Sequence, residues 1–165
     1  MSADYEQLER QLRALLEGEP DPLANAANFA AFLAAEIPEL NFAGLYLAKG
    51  DDLVLGPFIG KPSCTRIAIG RGVCGKSFAA DAPILVDDVS AFADHIVCDS
   101  ASAAECVVPL RDAEGIIGVI DCDSPRRGRF VEADREGLER LARALADSVD
   151  IRALARMGEA PSRLP

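Results

Sequence analysis

The residues best suited to carry chemistry are five cysteines, a single histidine and several acidic residues that border apolar segments. Residues 105–110 and 116–123 have the pattern of β-strands, in which successive side chains point to opposite faces of a sheet. On that alternation, Cys106 and Cys122 face away from their acidic neighbours and are predicted to be packing residues, since free cysteine often serves as a small buried hydrophobe. The residues predicted to share the core face with Cys122 are Ile116, Gly118 and Ile120.

Three acidic residues are expected near one end of this sheet. Asp121 and Asp123 share a strand face, and if Glu105 lies on the same face, three carboxylates converge. Crowded carboxylates raise one another's pKa, so that one can stay protonated near neutrality and act as an acid, and they also hold an ammonium group well. The alternative is a solvated surface with turn-forming aspartates. Their position at the ends of apolar strands, facing a long loop, favours a site.

The other three cysteines, Cys64, Cys74 and Cys98, lie outside the predicted strand cores, and His95 precedes Cys98 by three residues. They are candidates for a reactive thiol group, and with His95 they are also a candidate zinc site. Because there is no Cys-x-x-Cys pair and the His-x-x-Cys spacing alone is a weak signal, we predict no metal. For His95, a bond to the loop backbone and a role in activating Cys98 stay equally open.

A glycine-rich segment, residues 70–75, matches the Gly-x-Gly-x-x-Gly pattern of dinucleotide-binding turns. The helix predicted after it is short, ending before Pro83, and the flanking strands indicate an antiparallel meander instead of a series of βαβ units. We therefore predict that these glycines let a loop turn tightly near Cys74, and we predict no cofactor.

The spacing of apolar residues predicts the elements that must position these groups. Helices are predicted over 5–16, from Pro22 behind an Asp21 cap to the residue before Pro38, over 73–80 and over 132–155. Strands are predicted over 42–47, 53–58, 65–69, 84–86, 105–110 and 116–123. The segment over 87–104 is predicted to be irregular, and long loops inside compact domains usually carry function.

This order of elements predicts an α+β (α/β) fold with a mainly antiparallel central sheet, whose N- and C-terminal helices pack on one face. The middle loops would fold over the other face. The residues predicted to be buried on the second helix are Leu23, Ala26, Ala27, Ala30, Leu33, Ala34 and Ile37. Those predicted to be buried on the last helix are Leu138, Leu141, Ala142, Leu145 and Val149.

Length and composition exclude several classes of protein. The 165 residues, half of them hydrophobic, fit one globular domain, predicted over 1–157 with a mobile tail over 158–165. A formal net charge of -10 without a basic run argues against nucleic acid or anionic membrane as a partner. The chain has neither a membrane-spanning apolar stretch nor a signal-peptide pattern, which predicts a cytoplasmic protein whose thiols are kept reduced on average.

Five segments together resemble the free methionine-(R)-sulfoxide reductases, which are stand-alone GAF-domain proteins. The resemblance covers roughly residues 5 to 150, and its most specific segments are 41–46, 55–64, 70–75, 95–99 and 119–125. It implies a single GAF domain and an enzyme that reduces the free amino acid methionine (R)-sulfoxide, with thioredoxin or a similar dithiol as reductant. The family also suggests a homodimer.

The resemblance implies a role for each candidate residue. Cys98 corresponds to the nucleophile, Cys64 to the cysteine that resolves its sulfenic acid as a disulfide, and Cys74 to a third redox cysteine. We expect Glu105, its pKa raised by Asp121 or Asp123, to protonate the sulfoxide oxygen. The residues that correspond to substrate contacts are Tyr46, Phe42, Glu105, Asp121 and Asp123.

The chain departs from the family pattern at three places. Phe42 occupies a usual Trp position, Ala93 and Asp94 replace Pro-Gly before His95, and residues 103–104 replace a more polar pair. We expect these departures to affect the rigidity of the loop around His95 and the affinity for the substrate. Two alternatives share the fold: a GAF module that binds a small molecule, and a non-enzymatic redox switch that uses Cys64 and Cys98.

Overall fold

An antiparallel sheet is the centre of the fold in this computed structural model, which describes residues 3–158. The strands are β1 (Phe42–Lys49), β2 (Asp52–Gly60), β3 (Arg66–Ala68), β4 (Ile84–Val86), β5 (Ala104–Asp112) and β6 (Gly115–Ser124). The helices are α1 (Tyr5–Leu16), α2 (Pro22–Glu36), α3 (Gly72–Ala80), α4 (Glu132–Ser148) and α5 (Ile151–Arg156). The sheet order is β3-β2-β1-β6-β5-β4, and each neighbouring pair is antiparallel. The predicted α+β class and antiparallel meander are confirmed.

The first two helices begin where the sequence predicts, because aspartates cap them. The Asp4 side chain accepts a hydrogen bond from the Gln7 backbone N–H at 3.1 Å. Asp21 accepts from the Leu23 N–H at 2.8 Å, with Pro22 as the first helical residue. Both caps satisfy backbone donors that a helix start otherwise leaves without a partner.

The predicted buried face of α2 is wrong at two positions. Leu23 is 45% exposed and Ala27 is also exposed, whereas Asn25 and Phe29 are fully buried. The Asn25 side-chain amide donates to the Glu19 backbone carbonyl at 2.9 Å, in the turn that joins α1 to α2. Because this polar contact needs Asn25 on the inner face, α2 is rotated away from the orientation that its apolar residues alone predict.

The predicted last helix, 132–155, is broken into two. Its α4 part buries Leu138, Leu141, Ala142 and Leu145 as predicted, but Val149 is extended and only half-buried. Asp150 then caps α5, its side chain accepting from the Ala153 N–H at 3.2 Å. An extended β-branched residue followed by an N-cap ends one helix and starts another.

A bulge in β6 corrects the predicted face of Ile116. Leu110 is paired with Gly118 and Arg111 with Ile116, so Ile117 is an extra residue on β6. The bulge shifts the alternation by one residue, so that Ile117 is buried among the helix-side residues and Ile116 is only half-buried. Beyond the bulge, Ile120 and Cys122 face the core as predicted.

The sheet separates two apolar clusters. The helix-side core lies between the sheet and helices α1, α2, α4 and α5, and it contains Cys106 and Cys122, both 0% exposed. The site-side cluster lies on the other face, under α3 and the loops, and it includes Tyr46, Val73 and Val107. The predicted packing of the terminal helices on one face is therefore confirmed.

Two predictions concern the ends and surface of the chain. Among residues 3–158, the helices are too short or too polar to cross a membrane. The predicted mobile tail lies, from residue 159 onward, outside the described residues, and the domain boundary at 157 stays a prediction.

Candidate active site

Two loops on the site side of the sheet meet through a disulfide between Cys64 and Cys98. Cys64 lies between β2 and β3, and Cys98 lies in the irregular segment before β5. Their Cα atoms are 5.3 Å apart although 34 residues separate them along the chain. This is the pair that the family resemblance implies, and both residues are partly exposed at the protein surface.

Tyr46 fixes the loop that carries Cys64. Its hydroxyl donates to the Cys64 backbone carbonyl at 2.9 Å and lies 3.1 Å from the Ser63 hydroxyl. The Tyr46 side chain is only 1% exposed, and its burial raises its pKa, so the phenol stays protonated. Tyr46 therefore lies behind the cavity as a support for the thiol loop.

Phe42 is also buried in the site-side cluster. It is 4% exposed and stacks on Phe58 with ring centroids 5.5 Å apart. In the sheet, Phe42 is paired with Asp123 of β6, so the ring lies beside the carboxylates. Neither Phe42 nor Tyr46 lines the cavity described below, and their contact with substrate stays a prediction.

Glu105, Asp121 and Asp123 converge on one face of the sheet, so the condition that the sequence left open for Glu105 is met. Glu105 lies directly opposite Asp123 across β5 and β6, and Asp121, paired with Val107, is two pairs further along. Glu105 and Asp121 are each 7% exposed. The alternative of a solvated acidic surface is therefore wrong for these residues.

The three carboxyl groups have raised pKa values because they are buried together. Burial, followed by the charges of Asp121 and Asp123, raises the pKa of Glu105 well above its usual range. Burial and the Asp123 charge do the same to the pKa of Asp121. Burial raises the pKa of Asp123 to about 7, against the opposing effect of a Ser102 hydroxyl that donates to Asp123 Oδ2 at 2.9 Å. The three carboxyl groups therefore keep their protons to higher pH than isolated carboxyl groups do.

His95 faces Glu105. Its ring Nε2 lies 3.7 Å from Glu105 Oε2, and its backbone N–H donates to the Phe92 carbonyl at 3.2 Å. Burial lowers the pKa of His95, which keeps the imidazole neutral near pH 7. Of the two roles left open by the sequence, the backbone bond is present, and the ring contacts the acid instead of a thiol.

Cys74 lies beneath the same cluster, in the first turn of α3. It is 3% exposed, and its Sγ lies 3.9 Å from Glu105 Oε1. Burial, with the charges of Asp121 and Glu105, raises the thiol pKa well above its usual range. Cys74 has no disulfide partner, and the zinc set weighed from the sequence is not assembled because Cys64 and Cys98 are bonded to each other.

A small cavity joins these groups. Its volume is about 30 Å³, room for one or two water-sized molecules and far less than an amino acid needs. The Cys64–Cys98 bond connects two of the loops around it. The chemically active residues that line it are Cys74, His95, Cys98, Glu105, Asp121 and Asp123.

An ion pair that the sequence analysis missed holds the loop before His95. Asp94 has a left-handed backbone, φ 67°, which few residues other than glycine adopt. Its carboxylate pairs with both Arg71 Nε, at 2.8 Å, and Arg71 Nη2, at 2.6 Å. Hydrogen bonding from Arg71 lowers the pKa of Asp94 to about 2. The only signal in the sequence was the replacement of a family glycine at this position.

A second network that the sequence analysis missed involves Asp99 and Ser102, which line the cavity. The Asn41 amide donates to the Ser102 hydroxyl at 3.1 Å and to Asp99 Oδ2 at 3.2 Å. Ser102 in turn donates to Asp123. These hydrogen bonds therefore link the start of β1 to the loop that carries Cys98. Asn41 thus helps to orient an acidic residue of the site.

Comparisons with known proteins identify the family of this chain. Residues 22–149, more than half of the chain, match the GAF domain family, so this is a GAF-domain protein. Protein YtsP of Bacillus subtilis is 49% identical over 144 residues, which cover 86% of this chain and 88% of that protein. Free methionine-R-sulfoxide reductase of Escherichia coli is 46% identical over 141 residues, 86% of each chain.

A solved structure is similar over nearly its whole length. It is the X-ray structure of free methionine-R-sulfoxide reductase from Neisseria meningitidis in complex with its substrate. The two chains are 40% identical with a TM-score of 0.85, and the match covers 92% of this chain and 91% of that one. The chain belongs to the free methionine-R-sulfoxide reductase family, whose members are oxidoreductases.

Proposed function

We propose that this protein reduces free L-methionine (R)-sulfoxide to methionine, with Cys98 as the nucleophile. The observation that carries the proposal is the disulfide between Cys64 and Cys98, because Cys98 lines a cavity that Glu105, Asp121 and Asp123 also line. The E. coli and N. meningitidis relatives, named for this activity, support the choice of substrate. A cytoplasmic setting, a homodimer and a domain over 1–157 belong to the same proposal.

In the first step, the Cys98 thiolate attacks the sulfoxide sulfur while Glu105 protonates the oxygen. Attack forms a bond between the Cys98 sulfur and the substrate sulfur, and the proton converts the oxygen to a hydroxyl group. Transfer of this hydroxyl to the Cys98 sulfur then breaks both the substrate S–O bond and the new sulfur–sulfur bond, which releases methionine and leaves a sulfenic acid on Cys98. Burial supports this role for Glu105, because it raises the pKa of the carboxyl group and so favours the protonated form that can act as an acid. Asp121 or Asp123, once ionised, would bind the substrate ammonium.

In the second step, the Cys64 thiolate attacks the sulfenic sulfur, forms the disulfide and releases water. Thioredoxin or a similar dithiol then reduces the disulfide by thiol exchange. Val97, beside Cys98, is 66% exposed, and both disulfide residues are partly exposed, which supports access by such a reductant. Cys74 is kept as a third redox cysteine, without an assigned step.

The decisive experiment measures the loss of each free methionine sulfoxide epimer with a thioredoxin recycling system. We expect the R epimer alone to be consumed, and Cys98→Ser to abolish even one turnover. Cys64→Ser should retain a single turnover and lose recycling. Cys106→Ser is the matched control, because it removes a buried thiol on the other face of the sheet.

The two alternatives predict other results. A small-molecule-binding GAF module would consume neither epimer, whatever reductant is supplied. A redox switch would form the Cys64–Cys98 bond with peroxide and would show no dependence on methionine sulfoxide. Equal single-turnover yields from Cys98→Ser and Cys64→Ser would contradict the assigned roles.

A further inference from the structure

A thiol and two carboxylates form a compact group of possible metal ligands at the base of the cavity. One donor atom from each of Cys74, Glu105 and Asp121 lies within 4.8 Å of the other two, and all three residues are buried. This set differs from the four residues that the sequence suggested for zinc, since only Cys74 is common to both. It comes from three separate elements, α3, β5 and β6.

The distances are close to those of a tetrahedral zinc site. With Zn–S of about 2.3 Å and Zn–O of about 2.1 Å, a tetrahedral ion holds its sulfur and oxygen ligands about 3.6 Å apart. Cys74 Sγ and Glu105 Oε1 are 3.9 Å apart. The Asp121 donor atom lies within 4.8 Å of both, and the cavity has room for a water as the fourth ligand.

Asp121 supplies a separate indication that the site takes a ligand. Among residues 3–158, its buried Oδ1 has no hydrogen-bond partner, and the residue is only 7% exposed and lines the cavity. A buried polar atom without a partner costs free energy, which a cation at this position would offset. Asp123 lies next to the group and adds acceptor oxygens.

We propose that Cys74, Glu105 and Asp121 bind a single thiophilic divalent cation of the zinc class. A thiolate with carboxylates selects such ions over magnesium or calcium, which prefer oxygen ligands alone. The cavity accepts an ion even with the Cys64–Cys98 disulfide closed. The inference does not rest on the proposed reductase activity, because it needs neither methionine sulfoxide nor a reductant.

The test uses the full chain with the Cys64–Cys98 disulfide intact, so that neither of these sulfurs can bind metal. Zinc chloride is titrated by calorimetry, and cobalt(II) chloride is titrated by absorption. We expect one ion per chain and a thiolate-to-cobalt charge-transfer band in the near ultraviolet. Turnover of methionine sulfoxide is measured separately, so failure of one proposal leaves the other standing.

Variants identify the ligands. Cys74→Ser should abolish the charge-transfer band and weaken zinc binding more than about 100-fold, since loss of even an outer-shell partner costs about 10- to 100-fold. Asp121→Asn should also weaken zinc binding. Cys106→Ser, the matched control on the helix side, should keep both the band and the affinity.

Each contrary result overturns the proposal. Cobalt binding without a thiolate band would mean a carboxylate site alone, and a band that persists in folded Cys74→Ser would mean another thiol. If Cys74→Ser does not fold, the variant with Cys106→Ser and Cys122→Ser leaves Cys74 as the one free thiol, and absence of the band there is decisive. No binding to the wild-type chain rejects the site directly.

Discussion

Glu105 and Cys106 are neighbours in β5, yet they lie in opposite chemical environments. Cys106 is packed among apolar side chains of the helix-side core, whereas Glu105 faces other acids, a thiol and an imidazole. The same contrast separates Cys122 from Asp121 in β6. One sheet therefore stabilises the fold with one face and gathers reactive groups on the other.

The helix side also has a buried carboxylate, but its hydrogen-bonding potential is satisfied. Asp134 is 0% exposed and accepts from the Tyr5 hydroxyl at 2.8 Å and from Arg129 Nη1 at 3.0 Å. On the site side, Asp121 has an oxygen with no partner. A satisfied buried acid serves stability, and an unsatisfied one is available for a ligand.

The largest expected effect comes from removing the acid on the site side. Glu105→Gln keeps the size of the side chain but cannot protonate the sulfoxide oxygen, so the chemical step should slow by about 10²- to 10⁴-fold. Rapid-quench measurement of methionine formed in a single turnover tests this. An unchanged rate would remove Glu105 from the mechanism and weaken the contrast between the faces.

The next effect is on stability, from the helix side. Asp134→Ala removes the buried carboxylate that pairs with Arg129, which keeps only a half-exposed Glu39 as a charged partner, and should lower the free energy of unfolding by about 3–5 kcal/mol. Urea denaturation measures the loss. Glu136→Ala on the exposed face of α4 is the control, expected within about 0.5 kcal/mol of the wild type. An equal loss of stability in both variants would show that burial of the Asp134 carboxylate does not account for the effect.

The pH dependence of stability should also come from the site side. The folded pKa of Asp123, about 7, exceeds the value of about 3.9 in an unfolded chain, so the folded state binds more protons between these values. The contribution of Asp123 to the free energy of unfolding is fully present below about pH 3.9 and is lost as the pH rises through 7. We expect Asp123→Asn to flatten the unfolding free energy between pH 4 and 7. An identical slope in both proteins would contradict the assignment.

The smallest effect is expected at the ion pair that holds the loop. Asp94→Asn tolerates the left-handed backbone but weakens the contact with Arg71, and exposed ion pairs contribute about 0.2–1 kcal/mol, or about 1.4- to 5-fold in a rate. The single-turnover rate should fall by that factor at low salt. High salt should reduce the difference, because it screens the wild-type pair. A salt-independent loss would mean that the charge is not responsible.

The sequence was sufficient to predict which way side chains face where they alternate regularly along a strand. Alternation along β5 and β6 separated Glu105 from Cys106 and Asp121 from Cys122, as the structure confirms, but it left open whether Glu105 and Asp121 share a face, which the pairing of the two strands shows. The prediction for Ile116 was wrong because a bulge inserts one residue, and no pattern of apolar residues reports a bulge.

The loops could not be predicted in the same way. The pairing of Cys64 with Cys98 came only from the family resemblance, since it depends on how two irregular segments fold over the sheet. The Arg71–Asp94 pair was missed because contacts between loops leave no period in the sequence. Leu23 was misplaced because the polar Asn25, which the apolar spacing ignores, fixes the rotation of α2.

The small cavity beside the Cys64–Cys98 bond has a consequence for the proposed cycle. A space of about 30 Å³ cannot admit an amino acid, so the oxidised chain would not recognise its own substrate. Reducing equivalents, and not substrate, would then decide what fraction of the molecules is competent at any moment. When the reductant is scarce, the reduced form that can bind substrate would be only a small fraction of the total protein in a cell.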